Sequence, residues 1–435
     1  MWSGSGFGCS KEFIEMDKLV IEGGSSLKGE LKVSGSKNAT LPILAATLLT
    51  DDVCVIRNSP KLRDTMTMVK LLRSLGKTVD IGKDEIIISS KGDIQHIADY
   101  KLVSTMRGSF CVLGPLLGKL GKAKVSLPGG CVIGLRPVDL HLKGVKALGA
   151  TVEVEGGYVI VKARHLKGNS VYLGGGFGSS VLATANVMMA AVLARGETTI
   201  ESAACEPEIT DLVDFLIAMG AKIKGKGTPQ IIITGVKKLH GADFKISSDR
   251  IEAGTFLILA AAMRSNLVIR EANFNHLLSL IDRLEEAGVR FEKDYNLIKV
   301  KCPKVLKPTS VTTFPYPGFP TDLQAQFMAL MALTPGVSVI TDKVYPDRFM
   351  HIAELSRMGA NIRREGSNAI IEGVKQLHGA PVMASDLRAS AALVIAGLAA
   401  KGKTEIHRIY HLERGYENLD EKLIQLGAKI YREKE

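Results

Sequence analysis

Six times along this chain a helical apolar pattern runs into Leu, Met or Ala, then glycine, then a short alternating stretch. The copies are LLRSLGKTV, VKALGATVEV, LIAMGAKI, LEEAGVRF, LSRMGANI and LIQLGAKI. Their glycines are Gly76, Gly149, Gly220, Gly288, Gly359 and Gly427, spaced by 73, 71, 68, 71 and 68 residues. A near-constant period across a whole chain means one supersecondary unit used repeatedly. Residues before each glycine carry helical periodicity, as in DLVDFLIAMG. The glycine falls where a helix end needs a left-handed backbone, which only glycine adopts at little steric cost. The residues after it alternate as a half-buried strand, as in AKIKGKG and ANIRREG, and a second strand comes next in YVIVKA, QIIITGV and AIIEGV.

Each unit also holds a second helical segment: LPILAATLL, FCVLGPLLGKL, ANVMMAAVLA, TFLILAAAM, QFMALMAL or ALVIAGLAA. These are apolar nearly all round, so they belong inside a body and not on its surface. A strand succeeds each: CVIRN, AKVSL, TTIES, LVIRE, VSVIT and TEIHR. The unit therefore reads strand-helix-strand-helix-strand-strand. The expected fold is α/β, built from α+β repeats: six units of about 70 residues in two pseudo-threefold domains, each an inside-out α/β barrel with helices central and sheets outside. A cleft between two such bodies is a natural ligand site.

A chain of 435 residues is long enough for two cores. It has no apolar run of membrane-spanning length, and its first residues, MWSGSGFGCSKEFIEM, lack the basic and apolar regions of a signal peptide. Residues 1–15 read as a disordered extension. The cysteines are Cys9, Cys54, Cys111, Cys131, Cys205 and Cys302, with no C-x-x-C and no zinc-ligand spacing. Free thiols in a reducing, cytoplasmic setting are expected, with no metal and no cofactor. A net charge of +11 favours anionic partners. The basic residues form no long run, and aromatics are only 5%, so neither nucleic acid nor a membrane surface is indicated.

Several residues have chemistry open to two readings. Lys37 in GSKNA comes after small residues at a strand-to-helix entry, where backbone N–H groups and an ammonium cradle phosphate; the same pattern suits a plain helix start with a solvated lysine. Cys131 in SLPGGCVIGLRPVDLHL lies behind glycines on a loop able to close, five residues before Arg136. A nearby arginine favours thiolate, yet an inert thiol fits as well. Asp322 in FPTDLQAQ sits where a helix begins and suits the helix dipole. Arg388 and Arg414 lie near a helix start or polar turn, where surface salt bridges are common. His141 reads as structural.

Taken together, GSKNATLPILAA, LPGGCVIGLRPVDLH, TMRGS, EPEI, SDRIEAGTF, GFPTDLQAQF, DRFMHIAELSRMGA, DLRASAALVIAG and RIYHLERGYE resemble the enolpyruvyl transferase family from about Met16 to the chain end. The resemblance implies that Lys37, Asn38, Arg136, Arg388 and Arg414 bind phosphoenolpyruvate. It implies that Cys131 is the general acid at the methylene carbon, a site of covalent adducts and the target of the epoxide fosfomycin. Asp322 would face the acceptor hydroxyl as general base, and Lys37 and Arg414 would join Cys131 and Asp322 in catalysis. A UDP-N-acetylglucosamine acceptor would meet Arg107, Arg136, Pro137, Val138, Asp139, Leu140, Ser180, Val181, Asp322 and Val344. The chain departs from the family pattern at Leu182, Cys111 and Cys205, where glycine, an aromatic and arginine are common.

The implied reaction moves the enolpyruvyl group of phosphoenolpyruvate to the 3′-hydroxyl of UDP-N-acetylglucosamine and releases phosphate, the first committed step of peptidoglycan synthesis. The alternatives are a shikimate 3-phosphate acceptor or a non-catalytic UDP-sugar binder on the same fold. The resemblance divides the chain into domain one, residues 37–247, and domain two, residues 16–36 plus 248–435. A monomer acting on small molecules, with no nucleic acid or membrane partner, is the expectation.

Overall fold

All six repeat glycines have positive φ, from +89° at Gly149 to +102° at Gly288. Each comes just after an amphipathic helix: Arg63–Ser74, Asp139–Ala147, Pro207–Ala218, Leu278–Glu286, His351–Arg357 and Leu419–Gln425. The glycine N–H closes the last turn, as in Gly149 N–H to the Lys146 carbonyl at 2.9 Å and Gly220 N–H to Ile217 at 2.9 Å. These bonds satisfy carbonyls that a helix end leaves without partners. The computed structural model describes residues 17–128 and 138–435. The expected extension 1–15, and Cys131, Arg136 and Pro137, lie outside the described residues.

Among the described residues there are six four-stranded sheets and one two-stranded hairpin, 174–175 with 178–179. The six sheets share one pattern. An edge strand runs parallel to the second strand, which pairs antiparallel with the third, and the third with the fourth. The sheet of Val311–Thr313, Val337–Asp342, Asn368–Glu372 and Asn361–Glu365 is typical. A parallel pair needs a crossover. Four of the six come from an apolar helix inside the repeat, as Gln324–Ala332 joins Val311–Thr313 to Val337–Asp342. That helix is buried along its whole length, as expected for one apolar on every face.

The other two crossovers exchange. Strand Gly29–Lys32 pairs with the distant Leu267–Arg270, and Asp243–Lys245 pairs with Cys54–Arg57. Between them the two connecting segments lie antiparallel, bridged at Gly35 and Ser248. Ser36 N–H donates to Ser247 (2.8 Å) and Asp249 N–H to Ser34 (2.8 Å). The buried apolar side chains accordingly form two clusters. One gathers residues from Ala39 to Ile246. The other gathers Leu19 to Val33 with Ile251 to Ile430.

The segment FCVLGPLLGKL, expected as one helix, divides into a 3-10 turn, Arg107–Val112, and an α-helix, Leu113–Leu120. Pro115 has no N–H for the Cys111 carbonyl, so the α ladder loses a bond at the junction, which favours the break. Among the described residues no helix is long and apolar enough to cross a membrane.

Helix Leu113–Leu120 packs tightly on Val181–Ala191: a Cβ on Gly114 would lie 2.1 Å from the Asn186 backbone oxygen. Gly114→Ala is therefore expected to lower stability by about 1–3 kcal/mol through overpacking. The check is the urea midpoint, which should fall; an unchanged midpoint would mean that the two helices separate without cost.

Candidate active site

Ser36 caps helix Lys37–Ala46, its hydroxyl accepting from Ala39 N–H at 3.3 Å. This places Lys37 and Asn38 in the first turn, with Lys37 9% exposed and Asn38 half-buried. The Lys37 N–H donates to Asp249 Oδ2 (3.2 Å) of the opposite crossover. Its ammonium reaches Asp64 Oδ2 at 3.4 Å. The same carboxylate accepts from Arg414 Nε at 2.8 Å. Arg414 ends the 3-10 turn Ile409–Arg414, so Asp64 ties a cation of the first cluster's chain segment to one of the second's. Burial pushes the Lys37 pKa down, Asp64 opposes this, and Arg388 adds to the lowering.

Asp322 lies in the 3-10 turn Thr321–Leu323, immediately ahead of helix Gln324–Ala332. Arg348 Nη1 donates to its Oδ1 at 2.7 Å and Arg388 Nη2 to its Oδ2 at 3.0 Å. Both arginine side chains are almost fully buried, whereas 28% of the Asp322 side chain is exposed. Burial pushes the Asp322 pKa up, but Arg388 and Arg348 outweigh it and hold the carboxyl well below its usual range. Asp322 is thus ionised at neutral pH. Behind it, Asp386 caps helix Leu387–Ala399, accepting from Arg388 N–H at 2.8 Å, and lies 3.6 Å from Arg348 Nη2. Burial pushes the neighbouring His351 down to about 4, so its ring is neutral. Among the described residues, Arg388 Nε and Nη1 are buried without a well-aligned hydrogen bond, and the Tyr416 phenol lies within reach of the guanidinium. Buried guanidinium donors of this kind call for an anion.

A second group lies on helix starts of the first cluster. Val138 precedes helix Asp139–Ala147, which Asp139 and Leu140 open. Ser180 caps helix Val181–Ala191, accepting from Ala183 N–H at 3.3 Å. Leu140 approaches Gly175, so the two helix starts meet at the hairpin, and Gly178 of that hairpin abuts Pro315 of the second cluster's segment. Arg107 opens the 3-10 turn and lowers the pKa of His141, which burial chiefly pushes to about 3. His141 is buried against Phe110 and Asn186, in the structural place expected. Val344 donates its N–H to Asp342 Oδ1 (3.0 Å), and Asp342 also accepts from the Thr321 hydroxyl (2.7 Å). Val344 is thereby held beside the Asp322 turn.

The structure brings Lys37, Asp322, Arg388 and Arg414 into one electrostatic group. A hollow of about 430 Å³ bordered by Ser279, Asp282, Arg283, Ser310 and Thr341 contains none of them. Three members were not anticipated from sequence: Asp64, Arg348 and Asp386. For Asp64 a signal existed, because it falls on the buried stripe of its helix with Met68, Leu71 and Leu72. A carboxylate on an apolar stripe needs a partner.

The chain matches the family described as EPSP synthase (3-phosphoshikimate 1-carboxyvinyltransferase) over residues 21–423. It is 51% identical over 417 residues to the UDP-N-acetylglucosamine 1-carboxyvinyltransferase of Methylacidiphilum infernorum (isolate V4), spanning 96% of this chain and 99% of that one. It is 53% identical over 420 residues to the protein of the same name from Lawsonia intracellularis (strain PHE/MN1-00), spanning 97% and 100%. This chain belongs to the UDP-N-acetylglucosamine 1-carboxyvinyltransferase family. Among solved structures, the enolpyruvyl transferase NikO from Streptomyces tendae shares the fold with a TM-score of 0.87 at 24% identity, covering 97% of this chain and 100% of that one. EPSP synthase from Acinetobacter baumannii does so with a TM-score of 0.73 at 20% identity, covering 96% and 100%. The mixed α/β architecture of repeated four-stranded sheets is thus the EPSP synthase-like fold.

In this member of the family, Asp64→Asn keeps the side chain's shape and removes the charge shared by Lys37 and Arg414. Stability at pH 7 is expected to fall by about 1–3 kcal/mol, the usual cost of leaving buried charged donors poorly paired. Urea denaturation of the variant beside the parent checks this; equal midpoints would mean that water replaces the carboxylate at no cost.

Proposed function

We propose that this chain transfers the enolpyruvyl group of phosphoenolpyruvate to the 3′-hydroxyl of UDP-N-acetylglucosamine, releasing phosphate at the start of peptidoglycan synthesis. The observation that carries this reading is identity of 51–53% along nearly the whole chain to proteins of that name. Likeness to the EPSP synthase of Acinetobacter baumannii stands at only 20% identity.

In this reading Asp322 accepts the proton of the 3′-hydroxyl as its oxygen attacks C2 of phosphoenolpyruvate. Cys131, outside the described residues, gives its thiol proton to C3, and a tetrahedral intermediate forms. C3 then loses a proton, the C2–O bond to phosphate breaks with its electron pair, and phosphate leaves. Lys37, Asn38, Arg136, Arg388 and Arg414 hold the phosphate and carboxylate. Arg107, Arg136, Pro137, Val138, Asp139, Leu140, Ser180, Val181 and Val344 border the nucleotide sugar, which Asp322 also faces.

The resting arrangement carries a physical problem and its solution. A carboxylate held well below its usual pKa is a poor base. Arg388 still has Nε and Nη1 to offer an anion. When phosphoenolpyruvate binds there, it takes up much of the Arg388 charge, so the Asp322 pKa rises. The base therefore gains strength only when the donor substrate is in place.

The two apolar clusters support a division into domain one, residues 37–247, and domain two, residues 16–36 plus 248–435. Buried helices with sheets around them suit two inside-out α/β barrels of threefold pseudosymmetry. A monomer in the cytoplasm completes the reading.

Phosphate release tests it. Turnover is expected with phosphoenolpyruvate plus UDP-N-acetylglucosamine, none with shikimate 3-phosphate, and loss of turnover after fosfomycin. Cys131→Ala should reduce the rate about 10²- to 10⁴-fold, the usual range for a general acid. Full turnover in that variant would remove Cys131 from the chemistry, and UDP-sugar binding with no release would make the chain a binder.

A further inference from the structure

Two of the apolar helices carry a polar side chain deep inside: Thr255 on Arg250–Ala262, 3% exposed, and Gln326 on Gln324–Ala332, fully buried. Both point at Tyr416, itself 3% exposed. The Thr255 hydroxyl donates to the Ile251 carbonyl at 2.8 Å, so its only proton is used. The 2.9 Å contact between Thr255 and Tyr416 is therefore donated by the phenol. Gln326 Nε2 lies within hydrogen-bond distance of the Tyr416 oxygen (3.1 Å), Thr255 Oγ1 (3.1 Å) and the Asp322 carbonyl (2.9 Å), so one of its two N–H groups is shared between two of these acceptors. The phenol is fixed from two helices. Its ring lies under Arg388, with the guanidinium carbon 5.4 Å from the ring centroid.

One knot therefore supports both ends of the Arg388–Asp322 pair: the ring under the cation and the amide on the backbone of the anion. We propose that Tyr416 is a positioning residue for the donor substrate. Locked by Thr255 and Gln326, it holds the Arg388 guanidinium so that Nη2 stays on Asp322 while Nε and Nη1 are presented to phosphoenolpyruvate. The proposal rests on the functional reading above. A buried hydroxyl-amide network of this kind also has a stabilising role, so the test must separate fixing Arg388 from merely filling the core.

The experiment is steady-state kinetics of the full chain with each substrate varied in turn, for the parent, Tyr416→Phe and Tyr416→Leu, with thermal unfolding alongside. Phenylalanine keeps the ring and loses the lock, so KM for phosphoenolpyruvate should rise about tenfold, the effect of one buried hydrogen bond. Leucine loses the cation–π face too and should raise it about 30-fold or more. KM for UDP-N-acetylglucosamine should stay within about twofold of the parent. Should the leucine variant fail to fold, Thr255→Val removes the phenol's acceptor and is expected to match Tyr416→Phe. A phosphoenolpyruvate KM unchanged in these variants, or equal rises for both substrates, overturns the positioning role while leaving the functional reading intact. A parent enzyme that releases no phosphate overturns both.

Discussion

Two guanidinium groups, Arg348 and Arg388, are almost wholly withdrawn from water, and the Asp322 carboxylate between them is what makes this tolerable. Buried charges survive only when paired and hydrogen-bonded. Asp386 adds a second anion beside Arg348 and fixes the Arg388 backbone as its helix cap. The three parts come from two successive repeats: the 3-10 turn before Gln324–Ala332 and the segment after strand Val337–Asp342 belong to one, and helix Leu387–Ala399 to the next. The repeated unit matters to the chemistry because it brings these helix starts to one place.

The two clusters of the molecule are joined by charge as well as by chain. Asp64 holds Lys37 and Arg414 from opposite sides. Glu208, opening helix Pro207–Ala218, binds Arg250 through paired contacts of 3.0 and 3.3 Å. Arg250 opens helix Arg250–Ala262, directly after the exchanged crossovers. Any relative movement of the clusters therefore changes ion pairs that border the site. In the proposed reaction, an anionic substrate competes for the same cations, which couples its binding to that contact.

The fold was legible in the sequence because its signals are local. A left-handed residue at each helix end demands glycine, and all six positions show it. An apolar helix declares its own burial. The division between Val112 and Leu113 was missed because FCVLGPLLGKL is apolar on both sides of it, and hydropathy does not register the N–H that Pro115 lacks. For the site, Lys37, Asp322, Arg388 and Arg414 were legible through motifs. Arg348, Asp386 and Tyr416 were not, because nothing in their local letters shows which charge or ring they meet; Asp64 left a trace as a carboxylate on an apolar stripe, but its partner Arg414 is 350 residues away. Thr255 and Gln326 did leave a trace, as polar letters within apolar helices, but only the structure shows the phenol that satisfies them.

The central claim is that Asp322 is a suppressed base released by the donor substrate. The direct measurement is carbon NMR titration of the Asp322 carboxyl in aspartate-labelled protein, its signal assigned by its absence in Asp322→Asn. In the free protein the carboxyl should titrate well below the usual aspartate range, as Arg388 and Arg348 dictate. With phosphoenolpyruvate bound, its pKa should move upward. An ordinary pKa in the free protein, or none of that movement with substrate bound, would contradict the account.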